Sequence, residues 1–153
     1  MKIIREYTCA FTGHRILGKD FDREKLTNAI KVLIKNDITT FLVGMAVGFD
    51  TECFHILEKL REENEISIIA CVPCKNQDER FSLAQKKEYR RMLSVADEVI
   101  TLEETYTPYC MIKRNRFMVD NCCILISYLR EENGGTKYTV DYAKKQNIPV
   151  CNL

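Results

Sequence analysis

The chain contains no tryptophan, three prolines and six glycines in 153 residues. That scarcity excludes collagen-like, proline-rich and glycine/serine-rich low-complexity chains. Long apolar runs are missing too: the longest stretch without a charge, Ile38 to Phe49, is twelve residues, whereas a membrane-spanning helix needs ~20. No membrane association is therefore expected. The opening Met1-Lys2-Ile3-Ile4-Arg5-Glu6 has neither the apolar core nor the small-residue cleavage site of a secretory signal, so a cytoplasmic location is expected. Nor is there an excess of one charge: 23 basic residues face 22 acidic ones, a net charge of +1. No global field draws the protein to nucleic acid or anionic lipid, and any bound anion must be held locally.

What is present is a folding composition, 46% hydrophobic and 29% charged. The length fits one domain spanning residues 1–153. The eight cysteines lie mostly inside apolar runs and read as buried reduced thiols. Cys71-Val72-Pro73-Cys74 has the spacing of a metal or redox half-site, but no second such pair exists, and His14 and His55 stand at no ligand spacing. No metal and no cofactor are expected.

Tyr7 to Thr12 is a β-prone run ending at Gly13, and Thr40 to Val43 ends likewise at Gly44. Ile66 to Val72, stopped by Pro73, is a third strand; Glu98 to Leu102, Cys123 to Tyr128 and Val150 to Leu153 complete six. None alternates cleanly between polar and apolar, which suits strands covered on both faces. Between them, apolar residues recur at helical spacing: Leu26, Ile30 and Leu33 behind a capping Asp22 and a stapling Phe21; Phe49, Cys53, Ile56, Leu57 and Leu60; Phe81, Ala84, Met92, Leu93 and Ala96; Met111, Asn115, Met118 and Cys122 after Pro108; and Val140 with Ala143. Strands alternating with helices predict a Rossmann-like α/β fold, an open, mainly parallel sheet with helices on both faces.

In such a sheet, ligands bind beyond the carboxyl ends of the strands. The residues there are Thr12-Gly13-His14-Arg15, Gly44-Met45-Ala46-Val47-Gly48-Phe49-Asp50 and Gly134-Gly135-Thr136. Five of the six glycines fall in these loops. Glycine lets backbone approach an anion closely, and amide groups at a following helix start can bind phosphate. One helix terminus contributes only ~0.3 to 1 kcal/mol, so tight binding needs several loops and a cation, for which Arg15 and Arg114 are the candidates. The chain has neither GxGxxG nor the GxxxxGK[ST] phosphate loop, which argues against an ordinary NAD site or ATPase. His14 reads as a general base or, with no partner identifiable in sequence, as a polar loop residue. Asp50 reads as a ligand contact or as a helix cap. Lys86, Lys87, Arg90 and Arg91 form a basic patch diluted by Glu79 and Glu88, which reads as a solvated helix face rather than a contact to nucleic-acid phosphates. Tyr106 and Tyr109 near Lys113-Arg114-Asn115-Arg116 offer rings that stack on a base or simply pack.

In these same residues the sequence resembles the SLOG superfamily, which embraces the Smf/DprA and LOG proteins, and its YpsA-like branch most of all. The resemblance runs from end to end through Cys9 to Arg15, Gly44 to Asp50, Val72-Pro73-Cys74, Tyr106-Thr107-Pro108, Lys113 to Asp120 and Gly134-Gly135-Thr136. It implies a bacterial Rossmann-like domain binding a nucleotide, a nucleotide-derived signal or nucleic acid, in a branch associated with cell division and stress physiology. Arg15 and the Gly44-to-Asp50 loop are similar to the single-stranded-DNA-loading region of DNA-processing protein A. Gly135-Thr136 resembles the glycine-threonine loop of LOG-type phosphoribohydrolases. The sequence departs from those enzymes at Asn133, in a shortened loop, and at Thr139, where their catalytic glutamate falls.

The leading expectation is a sensor or binding domain for a small nucleotide-like ligand. Backbone amides of the three loops would hold phosphate, Arg15 and Arg114 would supply charge, and Asn115 or Asp50 would hydrogen-bond sugar or base; Met45, Ala46, Gly48 and Pro73 join the candidate contacts. The alternatives are a nucleotide-cleaving enzyme using Asp50, Asp120 or His14, and a single-stranded nucleic-acid binder, which the near-neutral charge disfavours. A homo-oligomer is compatible with the sequence.

Overall fold

A computed structural model describes residues 2–153. Six strands, β1 (Thr8–Gly13), β2 (Thr40–Val43), β3 (Ser67–Cys74), β4 (Glu98–Glu103), β5 (Ile124–Tyr128) and β6 (Val150–Asn152), alternate with five helices. These are α1 (Arg23–Lys35), α2 (Phe49–Leu60), α3 (Leu83–Val95), α4 (Cys110–Asp120) and α5 (Gly135–Lys145). All strand pairs are parallel, in the order β4-β3-β2-β1-β5-β6. The order reverses between β1 and β5, and this switch point is where an open α/β sheet leaves a crevice.

Successive residues of a strand face opposite sides, so the sheet divides its apolar residues between two cores. Cys9, Phe11, Phe41, Val43, Ile68 and Ala70 pack under α1, α2 and α3. Ala10, Leu42, Ile69, Cys71 and Leu125 pack under α4 and α5. Asp22 caps α1, accepting from the amides of Glu24 at 3.0 Å and Lys25 at 3.2 Å. The third helix opens later than its periodicity implies, at Leu83, because Ser82 and Gln85 form a reciprocal capping box. No helix among the described residues is long and apolar enough to cross a membrane.

Two strand expectations need correction. Pro73 does not stop β3, which continues to Cys74. On one flank β2 has already ended, Val43 lying opposite Ala70. On the other, Val72 pairs with Thr101 and Cys74 with Glu103, so the missing proline amide sacrifices no ladder bond. The strands are also not all covered on both faces: the edge strand β4 leaves Val99 41% exposed, and Cys151 of β6 is exposed. The Cys71–Cys74 pair lies on extended backbone, where three residues advance about 10 Å, unlike the tight turn of a metal half-site.

The aromatic packing at the switch point fixes one glycine. Phe49, at the start of α2, stacks on Tyr128 of β5 with ring centroids 6.0 Å apart and meets Phe11 and Phe21 edge-on. Its ring occupies the space a side chain on Gly13 would need, since a Cβ there would lie 2.3 Å from the Phe49 ring. Gly13→Ala is expected to lower the free energy of unfolding by about 2 to 3 kcal/mol, read from the urea midpoint. Adding Phe49→Leu should recover part of that loss. A Gly13→Ala protein as stable as the parent would show that this packing imposes no constraint.

Candidate functional site

The loop after β1 and the entry to α2 are clamped together. The Phe49 amide donates to the His14 carbonyl at 3.1 Å. Gly48 holds φ +83°, and a Cβ there would come 2.2 Å from the Arg15 carbonyl oxygen, a position open only to glycine. On the other side, the Arg130 amide donates to His14 Nε2 at 2.8 Å, tying the β1 loop to the loop after β5. Tyr128 Oη donates to Asp20 at 2.7 Å and Arg130 Nε does so at 2.6 Å, which holds the Asp20 carboxyl below its ordinary range.

The crevice between these loops has a volume of about 380 Å³, within the range of small-molecule sites. Thr12, Gly13, His14 and Arg15 line it from β1, Ala46 and Asp50 from the β2–α2 connection, Arg114 and Asn115 from α4, and Gly134, Gly135 and Thr136 from the start of α5. Eleven of the fifteen candidate residues thus meet in one cavity. The first amides of α5 have no partner within the helix, and neither glycine there has any atom within 4 Å of where its Cβ would be. The helix terminus is therefore open toward the crevice. Arg15 is exposed, and among the described residues its guanidinium forms no ion pair.

Beneath the crevice lies a buried charge. Arg114 is 5% exposed. Its Nη1 donates to the carbonyls of Gly44 and, at 3.3 Å, Cys71, while Nε donates to Asn115 Oδ1 at 2.8 Å. A Cβ on Gly44 would lie 2.9 Å from Arg114 Nη1 and 3.0 Å from Asp50 Oδ2. A side chain on Gly44 would thus collide with both charged groups. Asp50, 6% exposed, accepts from the Ala46 amide at 3.1 Å through Oδ2, while its buried Oδ1 has no hydrogen-bond partner. Burial pushes its pKa up to about 6, opposed by the charge of Arg114, the Ala46 amide and Arg15.

The remaining candidates are placed elsewhere. Gly44 lies against Arg114 and Asp50 outside the lining, and Met45, at φ +65° and buried, points into the core with Gly48 behind the crevice. Pro73 is a strand residue outside the lining. Asp50 is not the cap of α2, since Gly48 holds that position and the carboxyl bonds Ala46. Asp120 accepts from Tyr142 in a separate cavity on the outer side of α4. Thr139 is buried and donates to the Gly135 carbonyl at 2.8 Å within its own helix. Half of the basic patch of α3 is engaged: Arg91 binds Glu58 and Glu88, pulling Glu88 down to about 2, and Arg90 pairs with Asp78. Sequence reasoning missed Phe11, Ile16, Met111, Glu131 and Asn133, which also line the crevice. Glu131 and Asn133 share the strand-to-helix loop with Gly134, which was signal enough to include them.

An all-parallel sheet with this crevice at its switch point defines a Rossmann-like α/β domain. The YspA SLOG family model matches residues 20–149, and the chain belongs to that family. It is 35% identical over 139 residues to the uncharacterised SPbeta prophage-derived protein YoqJ of Bacillus subtilis (strain 168), covering 80% of each chain. In fold it is similar to DNA processing protein A of Streptococcus pneumoniae, with a TM-score of 0.69 and 19% identity over 96% of this chain. The Helicobacter pylori protein of the same name, a structure describing its single-stranded DNA binding mode, gives a TM-score of 0.66 and 17% identity over 95% of this chain. The match spans 49% of the first of those chains and 64% of the second.

Asp50 makes a signed prediction. Its folded pKa of about 6 exceeds the ordinary 3.8, so between those values the native state binds more protons than the unfolded one, and stability falls as pH rises through that window. Asp50→Asn should remove this dependence. At pH 7.5 it should be more stable than the parent by on the order of 2 kcal/mol, because Arg114 keeps its two carbonyls and Asn115. Chemical denaturation across pH checks both statements, and a less stable Asp50→Asn would mean that Arg114 depends on the carboxylate as counter-ion.

Proposed function

We propose that the crevice binds a nucleotide or nucleotide-derived ligand and that the domain acts as its sensor or carrier in the cytoplasm. One observation carries this reading: an open helix start, an unpaired arginine and a buried carboxylate oxygen without a partner share a single cavity. The α5 amides and Arg15 suit phosphate oxygens. Asp50 Oδ1 requires a donor, such as a ribose hydroxyl or a base amine, because leaving it unmet costs about 1 to 3 kcal/mol. Phosphate alone satisfies the first pair of features and not the third.

Two other readings are tested alongside. The likeness in fold to DNA processing protein A favours single-stranded DNA as an alternative partner, which would show itself as salt-dependent retention. Cleavage of a glycosidic bond lacks an acid at Thr139, whose hydroxyl is already engaged. Incubation with a nucleotide panel should release neither free base nor ribose phosphate at an enzymic rate.

A thermal-shift screen across nucleotides should identify binders, since a ligand at 100 times its Kd adds about 2.7 kcal/mol, several degrees for a domain of this size. Arg15→Ala is expected to abolish the shift while leaving the unfolding midpoint of the free protein unchanged. A shift that survives Arg15→Ala in a folded protein would remove Arg15 from the site.

A further inference from the structure

The crevice does not end at Arg15. A second cavity of about 450 Å³ opens on its far side and shares Arg15, Ala46 and Met111 with the first. Its outer wall comes from the loops after β3 and β4 and includes Arg80, Phe81 and Tyr106. The two hollows thus form one groove along the carboxyl end of the sheet, with Arg15 at the joint.

Charge and aromatic placement say what this second compartment is built for. Arg5 bonds the Cys122 carbonyl; Arg23, Arg61, Arg90, Arg91 and Arg130 pair with carboxylates; Arg114 is held by carbonyls and Arg116 by Tyr138. Among the described residues Arg15 and Arg80 alone of the arginines have neither a side-chain hydrogen bond nor an ion pair, and both line this cavity. Tyr106 is 60% exposed, although its backbone amide is anchored on Asn76 Oδ1 at 3.1 Å. Phe81 is braced edge-on against the buried Tyr89, ring centroids 5.5 Å apart. A fixed ring and a backbone-anchored ring beside free guanidinium groups make a stacking platform for a flat heterocycle attached to phosphate.

Resting on the nucleotide reading of the first cavity, we infer that the ligand is bipartite: two nucleoside groups joined through phosphate, one in each cavity, with the linkage over Arg15 and flanked by Arg80. A long strand fits less well. Tight strand binding neutralises many phosphates at once, whereas only these two guanidinium groups are unpaired here, Glu79 sits in the same wall, and the net charge is +1.

Calorimetric titration of the intact protein with AMP, diadenosine pyrophosphate and an oligothymidylate long enough to overrun both cavities tests this. The dinucleotide should bind roughly tenfold or more tighter than AMP, a difference of about 1.4 kcal/mol. Arg80→Ala, a surface change that should leave the unfolding midpoint unmoved, should erase that advantage and leave AMP affinity as it was. Arg15→Ala should weaken both. Equal affinity for AMP and dinucleotide, or loss of AMP binding in Arg80→Ala, overturns the bipartite ligand while leaving the nucleotide reading intact. Binding of neither nucleotide overturns both. An oligothymidylate that outbinds the dinucleotide overturns the limit of two units and makes a strand the source of the same chemistry.

Discussion

A guanidinium buried under the end of the sheet sets the terms for everything around it. An ionised group away from water is tolerated only when its donors are met, and Arg114 meets this condition through the backbone. The strand β2 stops at Val43 while β3 runs on to Cys74, so the carbonyls of Gly44 and Cys71 are released from pairing with each other's strand. Arg114 Nη1 takes both. The uneven strand lengths, the tolerance of Pro73 in β3 and the bare backbone at Gly44 are three aspects of one accommodation. Without the early end of β2 Arg114 would lose its backbone acceptors and keep Asn115 Oδ1, while the Gly44 carbonyl is shared between Arg114 and Gln77 Nε2 at 3.1 Å.

The glycines that first suggest phosphate loops turn out to perform different work. Gly13 yields its space to the Phe49 ring, Gly44 to Arg114 and Asp50, and Gly48 to the Arg15 carbonyl. These three allow the first two crossover turns to close against each other and against Tyr128. Gly134 and Gly135 alone face open space, so the only glycine turn left uncrowded is the one that opens α5. The open backbone expected at three turns is found at one, and the other two supply the rigid frame and the side chains of Arg15 and Asp50.

The fold was legible because its signals are local and redundant. Apolar runs ending at glycine, helical spacing behind Asp22, and strict alternation of the two periods determine a parallel sheet without knowledge of any long-range contact. The lining of the crevice was legible for a related reason: topology alone brings the ends of β1 and β5 together, and the loops follow. What could not be read is contact across distance. Nothing near Gly13 in the chain announces Phe49, and Met45 and Ala46, adjacent in sequence, part ways because φ +65° at Met45 turns its side chain into the core. On α3, the partners of Arg90 and Arg91, Asp78 and Glu58, lie off the helix, and nothing within the basic run announces them. The capping box at Ser82 was readable and overlooked.

Asp50 is the residue whose placement the interior explains least. The Ala46 amide and the neighbouring positive charge offset only part of its desolvation, for its pKa remains raised to about 6 and one oxygen is without a partner. An amide side chain of similar size would keep the bond from the Ala46 amide with no charge to bury, and Arg114 has acceptors in the Gly44 and Cys71 carbonyls and Asn115. On the proposed reading, a carboxylate that lowers the stability of its own domain is retained for a ligand that enters the crevice. Asp50 lines the cavity, so on that reading a ligand hydroxyl or amine that reached the orphan oxygen would restore the missing bond and draw the pKa back down. Binding would then be strongest above about pH 6, where the acid is charged before the ligand arrives, and the domain would recover on binding the stability it gives up when empty.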